Sequence, residues 1–547
     1  MAELLTPVTL WNDFSSEQNF EPEREETYVY GDVTVEKFYI NGKTEDGQTV
    51  KVFILSAKKK SEGKMPAILF FDDYKNALDE KTAVAFAKKG YAVFSVDYSG
   101  KAEGKKRYTV YPESLSMADY ENVKDNLFSV TDVKKSHFYE WAISARYALA
   151  YVKSLDYIGK VGAVGYKGGG FIVWQLSITD ELACMAVFYN SGWNTYKKGT
   201  RFTGEGDGLM SENDILLNAG IEPQSYASHV KCPTLFVTAT NNAEYDADRA
   251  YDTVSRIDDK IYSAICYFVG NDGMSFAAVK DADMFFSEYL FGEGKNPSSE
   301  VEAESKVKNG ECEIKVKGEN AEKVTLYVSD SVADPALRTW RKISDCKKDA
   351  DSFLFTLNVK EMAGKAFYFA SIALRNGFTV CTNISEITFE SENRANPLPV
   401  SGIIYSGRKD SGKNTFMPLG VTPKKSVFPE PQKGPMGIDG ISAESGIITY
   451  VVNDREFKPK KDAILMFDAY SETDAMLTVT YVFDIRNANI EFVSKVKIAG
   501  GKVWHNVMLE MQKFKTAEGR PLKNYELLNG IKFSSESDLL INNVLWI

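Results

Sequence analysis

The chain has 547 residues, is 44% hydrophobic and 13% aromatic, and carries a net charge of −11. That length sets a prior of two to four domains, and the acidic balance excludes the basic footprint of a nucleic-acid binder. No apolar run approaches the roughly 18 residues of a membrane span, and three histidines (137, 229, 505) are too few for a His-rich metal site.

Neither a metal nor a cofactor is therefore expected. Met1 to Thr6 lacks a basic region followed by an apolar stretch, so no signal peptide is read. The expected location is cytoplasmic, or secreted if a leader has been removed. The six cysteines (184, 232, 266, 312, 346, 381) include no C-x-x-C pair and read as buried free thiols.

Residues 1–27 are polar and irregular, an N-terminal extension with Leu10-Trp11 as its candidate anchor. Tyr28 to Ile40 alternates, Asp46-Gly47 supplies a turn, and Val50 to Leu55 returns, which reads as an antiparallel hairpin. Pro66 to Phe71 and Tyr91 to Val96 are continuous apolar runs, as expected for strands covered on both faces. Between and after them come helical patterns, Thr82 to Lys89 and Phe138 to Leu155. Strands over 161–164, 184–188, 234–238 and 264–269 then alternate with helices over 171–176, 247–256 and 277–290. This texture predicts a mostly parallel sheet with helices on both faces. After Gly292 the pattern becomes all-β. Short alternating runs over 300–393 predict a small sandwich with Trp340 in its core. Asn396-Pro397-Leu398-Pro399 reads as a linker, and a second all-β unit follows. The predicted units are 1–295, 296–396 and 397–547, packed against one another.

One stretch organises the first unit. Val161 to Val164 is a buried strand, it stops at Gly165-Tyr166-Lys167-Gly168-Gly169, and a helix begins at Phe171. Strand, Gly-x-x-x-Gly, helix is the layout of a nucleophile elbow, whose middle residue stands on a sharp turn above the sheet. With the hairpin, Ala67 to Phe71, Gly90 to Asp97 and Cys232 to Thr238, this stretch makes residues 28–292 resemble the α/β-hydrolase fold. The nearest texture is that of dienelactone-hydrolase-like and acetylxylan-esterase-like proteins.

The resemblance implies a triad in the order nucleophile, acid, histidine. The corresponding positions hold Lys167, Asn242, and Asn271 or Asp272. An ammonium is a poor acyl acceptor, Asn cannot stabilise an imidazolium as a carboxylate does, and no histidine stands in the third loop. The resemblance also implies an oxyanion hole from the Gly168 N–H and an N–H of Asp72-Asp73-Tyr74. The pocket so defined comprises Asp72, Asp73, Tyr74, Lys167, Gly168, Trp193 and Asn271. It is either open to a small anion or already filled by Asp72, Asp73 or Asp272. Lys167 is expected to pair with a carboxylate, Asp272 first among the candidates.

Val503 to Met511, Gly519 to Leu522, Ile531 to Phe533 and Leu540 to Trp546 resemble galactose-binding-like jelly rolls, including carbohydrate-binding ones. The middle unit resembles Ig-like or fibronectin-like sandwiches. The expected function is a non-catalytic pseudo-hydrolase, a binding or assembly protein whose partner is a glycan, a protein or a second copy of itself. The alternative is a carboxylic-ester hydrolase, such as a glycan deacetylase, using non-standard residues.

Overall fold

The structure, a computed structural model, describes residues 3–547 apart from 116–126, 179–181, 197–200, 203–209, 271–275, 293–299, 350–351, 359–363, 389–401, 408–415, 420–428, 430, 455–456 and 486–487. Its first part is a nine-stranded sheet: β1 (Glu23–Tyr30), β2 (Val33–Lys43), β3 (Thr49–Lys59), β4 (Met65–Phe71), β5 (Ala92–Val96), β6 (Ile158–Tyr166), β7 (Cys184–Phe188), β8 (Thr234–Ala239) and β9 (Ser263–Phe268). The spatial order is β1-β2-β3-β5-β4-β6-β7-β8-β9. β1, β2 and β3 pair antiparallel, as do β3 and β5; from β5 through β4 to β9 every pair is parallel. The helices are α1 (Pro7–Leu10), α2 (Glu80–Ala87), α3 (His137–Ser154), α4 (Gly168–Leu176), α5 (Glu212–Gly220), α6 (Pro223–Tyr226), α7 (Arg249–Val254) and α8 (Phe276–Phe286).

The predicted parallel core is present, and each of its strands is buried along most of its length, because helices cover both faces. α3 buries 14 of its 18 residues, which explains why its polar positions are short of solvent. Ser136 caps it, its hydroxyl accepting the Tyr139 N–H. The amino-terminal reading needs correction. Tyr28–Ile40 is not one strand: Gly31, at φ 65°, turns the chain between β1 and β2. β1 begins at Glu23, inside the stretch read as irregular. Its mostly exposed edge position tolerates the charged sequence Glu23-Arg24-Glu25-Glu26, which hides the strand from a hydrophobicity pattern.

Beyond residue 300 the described residues contain no α-helix, only strands and short 3-10 turns. Residues 301–388 form two antiparallel sheets. Val301–Lys308, Glu311–Gly318, Ser352–Asn358 and Lys347–Asp349 make one, and Ala321–Asp330 and Lys365–Leu374 are central to the other. Residues 403–546 form two more. In the second of these, Met417–Pro418, Ile447–Thr449, Leu528–Ser535, Ala475–Phe483 and Ile490–Ile498 lie side by side.

These sheets meet the large one. A single apolar cluster runs from Leu69 and Phe236 of the large sheet through Trp340 and Phe369 to Ile448, Tyr450 and Val482. Trp340 is fully buried and packs edge-on against Phe369. The open edge of β9 is covered: the Cys266 thiol donates to the Thr379 carbonyl, and Asp281 of α8 accepts the Thr379 N–H at 3.1 Å. An uncovered edge of that length would be an aggregation hazard. All six cysteines are free, five of them buried. Among the described residues no helix is long and apolar enough to cross a membrane.

Candidate functional site

Strand order reverses between β4 and β6, since β5 lies on one side of β4 and β6 on the other. In open α/β sheets the crevice beyond the carboxyl ends at such a point is where ligands bind. Here it is framed by the loop after β4, residues 72–74, and by Lys167 after β6.

Lys167 stands where the sequence placed it, as the N-cap of α4, with φ 49° and ψ −113°. That is a strained conformation for a side chain with a Cβ, and the surroundings enforce it. Its N–H donates to the Phe188 carbonyl at 3.0 Å, and its own carbonyl accepts from Gly170 N–H at 2.9 Å and Asn190 Nδ2 at 3.1 Å. The glycines are required by close approach. A Cβ on Gly169 would lie 2.0 Å from the Phe71 carbonyl oxygen, and one on Gly168 would lie 2.2 Å from the Tyr74 ring.

Both backbone donors predicted for an oxyanion are engaged by one carboxylate. Asp73 Oδ1 accepts the Gly168 N–H at 3.2 Å and the Tyr74 N–H at 3.0 Å. Asp73 is 5% exposed. Burial raises its pKa, opposed by Lys75, the Gly168 N–H, Lys167 and the Tyr74 N–H in that order. Asp72 turns the other way, its Oδ1 accepting from Asp73 N–H at 2.7 Å and Asn76 Nδ2 at 3.1 Å; its pKa too is raised by burial.

A buried cation that sequence reasoning missed fixes this loop from below. Lys105 Nζ donates to Asp97 Oδ1 at 2.6 Å, Ser99 Oγ at 2.7 Å, the Tyr74 carbonyl at 3.0 Å and the Gly100 carbonyl at 3.2 Å. Both partners of the ion pair are almost fully buried. Asp97 Oδ2 accepts from Thr109 N–H at 2.7 Å and Gly100 N–H at 3.2 Å, so the charge is well satisfied. The one available signal was Asp97 at the end of a buried strand, which demands a partner; the Lys-rich stretch after it does not say which lysine.

The third part of the site is the loop after β8. Asn242, the predicted acid position, is buried and uses its side-chain carbonyl to accept the N–H groups of Glu244 and Tyr245, at 2.8 and 2.9 Å. It shapes the turn that presents Glu244. Glu244 Oε2 lies 3.9 Å from Lys167 Nζ. Lys167 therefore has a carboxylate neighbour, supplied by the acid loop. Asp272 and Asn271, to which the sequence assigned that role and the histidine position, lie outside the described residues. Asn241 faces away: its Nδ2 donates to the Arg338 carbonyl at 2.7 Å. Arg338 in turn clasps Asp248, Nη1 to Oδ1 at 2.6 Å and Nη2 to Oδ2 at 2.8 Å, with neither side chain exposed.

Trp193 does not join Lys167 in the observed contacts. Its indole N–H donates to Thr253 Oγ1 at 2.8 Å, and the guanidinium groups of Arg249 and Arg256 lie 4.8 and 5.1 Å from its ring. It clamps the loop after β7 onto α7. His137 stands at the start of α3, and burial lowers its pKa to about 4, so it is neutral near pH 7. Its ring meets Trp141, which meets Tyr74, placing it two rings from the elbow. Among the described residues no group of His, Cys, Asp and Glu is placed to hold a metal.

Residues 52–307 match the dienelactone hydrolase family. That segment contains the elbow, the Asp72–Tyr74 loop and the acid loop. No curated protein matches the chain. Among solved structures it is similar to acetyl xylan esterase 1 from Thermoanaerobacterium sp. JW/SL YS485, at 16% identity and a TM-score of 0.37, over 50% of this chain and 89% of that one. The acetyl xylan esterase of Paenibacillus sp. R4 aligns over 52% and 92%, at 11% identity and a TM-score of 0.37. An acylaminoacyl peptidase of Pyrococcus horikoshii aligns over 50% of each chain, at 16% identity and a TM-score of 0.33.

Proposed function

We propose that this chain is a pseudo-hydrolase: a hydrolase-type scaffold without acyl-transfer activity, joined to two β-sandwich units in a binding or assembly protein. The observation that carries the reading is Asp73. An acyl-transfer site stabilises an oxyanion with preorganised N–H donors, and here those donors already hold a carboxylate oxygen. A substrate oxyanion would have to displace that carboxylate and meet its charge. The elbow residue supports the same reading, because Lys167 offers an ammonium beside Glu244 where acyl transfer needs a nucleophile with a base. The second reading, ester hydrolysis, is favoured by the family match over 52–307.

Two measurements on the full chain decide between them. Fluorophosphonate labelling should give no adduct, and p-nitrophenyl acetate turnover should equal that of Lys167→Ala. Lys167→Ser should also remain inactive, since Asp73 still fills the donor site and no histidine is placed to take the proton. A label that maps to one serine of residues 66–290, or turnover abolished by a single substitution there, would establish the hydrolase instead.

A further inference from the structure

One sheet of the middle unit ends in an open edge. Its order is Val301–Lys308, Glu311–Gly318, Ser352–Asn358, Lys347–Asp349, so among the described residues Val301–Lys308 has a neighbour on one side only. The turn joining it to Glu311–Gly318 is Asn309-Gly310, at φ 53° and 79°. Positive φ at both residues marks a two-residue hairpin turn, in which Lys308 and Glu311 close the ladder as a hydrogen-bonded pair. Bonded and open residues alternate from there. Val301, Ala303, Ser305 and Val307 therefore turn their N–H and C=O groups to the open edge. We propose that this edge pairs antiparallel with the same strand of a second copy of the chain. The pairing is centred on Ser305, with Glu304 opposite Lys306 and Glu302 opposite Lys308.

The charge pattern carries the proposal. Glu302, Glu304, Lys306 and Lys308 are exposed and share one face. The strand is acidic in its first half and basic in its second, so turning it end for end about Ser305 sets every Glu against a Lys. A parallel copy in register would set like against like. An antiparallel slip of two residues would bring Glu304 onto Glu304 or Lys306 onto Lys306. The sheet follows the same rule within the chain: Glu302 pairs with Lys317, Glu304 with Lys315, Lys306 with Glu313 and Lys308 with Glu311. Across the joined sheets each row alternates in sign, as in Lys317 and Glu302, then Lys308 and Glu311 of the second copy. Among these charges the ion pair closed within the chain is Lys317 on Glu302, at 3.1 Å. Glu304, Lys306 and Lys308 are left for the second copy.

Edges that avoid pairing carry bulges, prolines or repelling charges. The other long open edge does so. β1 has a register shift between Arg24 and Glu26, and its acidic run Glu23-Arg24-Glu25-Glu26 meets no cation in Thr27-Tyr28-Val29-Tyr30. Val301–Lys308 has no proline and pairs with its neighbour over all eight residues without a shift. Lysines alone on such an edge would repel a second copy; here each has its glutamate. Val301, Ala303 and Val307 are half-buried against the core, and the pairing covers them further by setting Val307 beside Ala303 of the second copy. The Tyr368 hydroxyl donates to the Ala303 carbonyl at 3.5 Å, which leaves that carbonyl a second lone pair. A two-fold contact through one strand is small, so the dimer is reversible and salt-sensitive. The inference rests on the proposed function only in reading the chain as an assembly protein.

The test uses the full-length protein. Sedimentation equilibrium should show a dimer forming by about 100 μM, the range of a weak interface, and salt at about 1 M should weaken it several-fold. Ser305→Pro removes the N–H groups at the two-fold axis and should leave a monomer; that N–H faces the open edge, so the hairpin loses no bond. Lys306→Gln with Lys308→Gln, both at exposed positions, removes every Glu–Lys contact between copies. It should raise the dimer dissociation constant at least about tenfold. Ser305→Cys should cross-link to itself on mild oxidation, above the parent's background, because a hydrogen-bonded pair sets Cα atoms about 5.5 Å apart, within disulfide reach. Glu302→Cys should not, its two copies lying roughly 20 Å apart. A chain that stays monomeric at that concentration overturns the inference and leaves the edge to a different strand. A dimer that withstands either Ser305→Pro or the glutamine pair, or that cross-links through Glu302→Cys and not Ser305→Cys, overturns it too. Ester turnover by the dimer would sink the pseudo-hydrolase reading and leave the pairing standing; a monomer without turnover would do the reverse.

Discussion

The two loops that meet over the elbow differ in where their anchors lie. The Asp72–Tyr74 loop is held from within the large sheet's own unit, by Lys105 and Ser99 beneath Tyr74 and by Tyr98 beneath Asp72. The 240–248 loop is tied to its own sheet, by Asn241 N–H on the Gly270 carbonyl at 2.9 Å and the Tyr267 hydroxyl on the Ala247 carbonyl at 3.3 Å, and is tied from outside it as well, by Arg338. A loop of the first kind keeps its shape as long as its own sheet is intact. A loop of the second kind draws part of its anchoring from a neighbouring unit. Perturbing the first should therefore stay local, and perturbing the second should spread to the assembly.

The largest effect is expected at Arg338. Arg338→Leu leaves Asp248 charged and buried without its partner, which costs about 3–5 kcal/mol. The loss should appear as a separation of thermal unfolding into distinct transitions, with faster proteolysis between the large sheet's unit and residues 301–388. Adding Asp248→Asn should restore part of it, because the stranded charge is then gone. A single, unshifted transition in Arg338→Leu would mean that the units are joined by apolar packing alone.

Lys105→Met is the matched experiment on the internally held loop. It strands Asp97 in the same way, at a cost of similar order, yet its consequences should be confined. Unfolding should shift as one transition, and proteolysis between units should not accelerate. If Lys105→Met also loosens the units, the contrast between the loops fails.

These anchors explain what could be read from the chain and what could not. The parallel strands and the elbow were legible because buried strands write continuous apolar runs and the turn needs glycine at fixed spacing. The filling of the donor pocket was foreseen only as one of two outcomes, since Asp72, Asp73 and Asp272 are equally plausible on paper. Only the turn geometry, with Asp73 N–H on Asp72 and Asp73 Oδ1 on Gly168, selects Asp73. Glu244 was passed over for a reason of the same kind: Asn242 matched the acid position, and its role is to turn the chain toward a residue two places on. Arg338 and Asp248 lie 90 residues apart in different units, and nothing local to either marks the pairing. The start of β1 was missed because Glu23-Arg24-Glu25-Glu26, on an exposed edge, carries no hydrophobic alternation.

Titration should sharpen the comparison at smaller scale. Glu222 lies inside the large unit, accepting from Asn194 Nδ2 at 3.2 Å and Thr195 N–H at 3.1 Å; Asp281 lies at the junction with Thr379. Burial pushes both pKa values up to about 7. A raised carboxyl pKa favours the fold while the group is protonated. Its contribution is complete below the unfolded value of about 4 and is lost as pH rises through 7. The melting temperature should therefore fall between pH 5 and 8. Glu222→Gln and Asp281→Asn should each flatten that decline, the second chiefly in the transition that reports the junction. A melting temperature that rises over this interval in the parent protein and is insensitive to both variants would show that neither group is buried as described.

The smallest effect is expected at Glu244. Its pair with Lys167 is long, and its side chain is 63% exposed, so it contributes about 0–1 kcal/mol and is screened by salt. Lys167 also lowers the pKa of Asp73 through space, so removing Glu244 leaves the ammonium with a buried countercharge. Glu244→Gln should then change thermal stability by no more than about 1 kcal/mol, and added salt should shrink even that. Lys167→Met should do something different: it removes one of the cations that lower the Asp73 pKa, and the Asp73 carboxyl should titrate at higher pH. Carbon-detected NMR of the aspartate carboxyls reads this directly. An Asp73 titration unmoved in Lys167→Met, together with a large loss of stability in Glu244→Gln, would make Glu244 the main countercharge of the elbow lysine. The 240–248 loop, and not Asp73, would then govern the site.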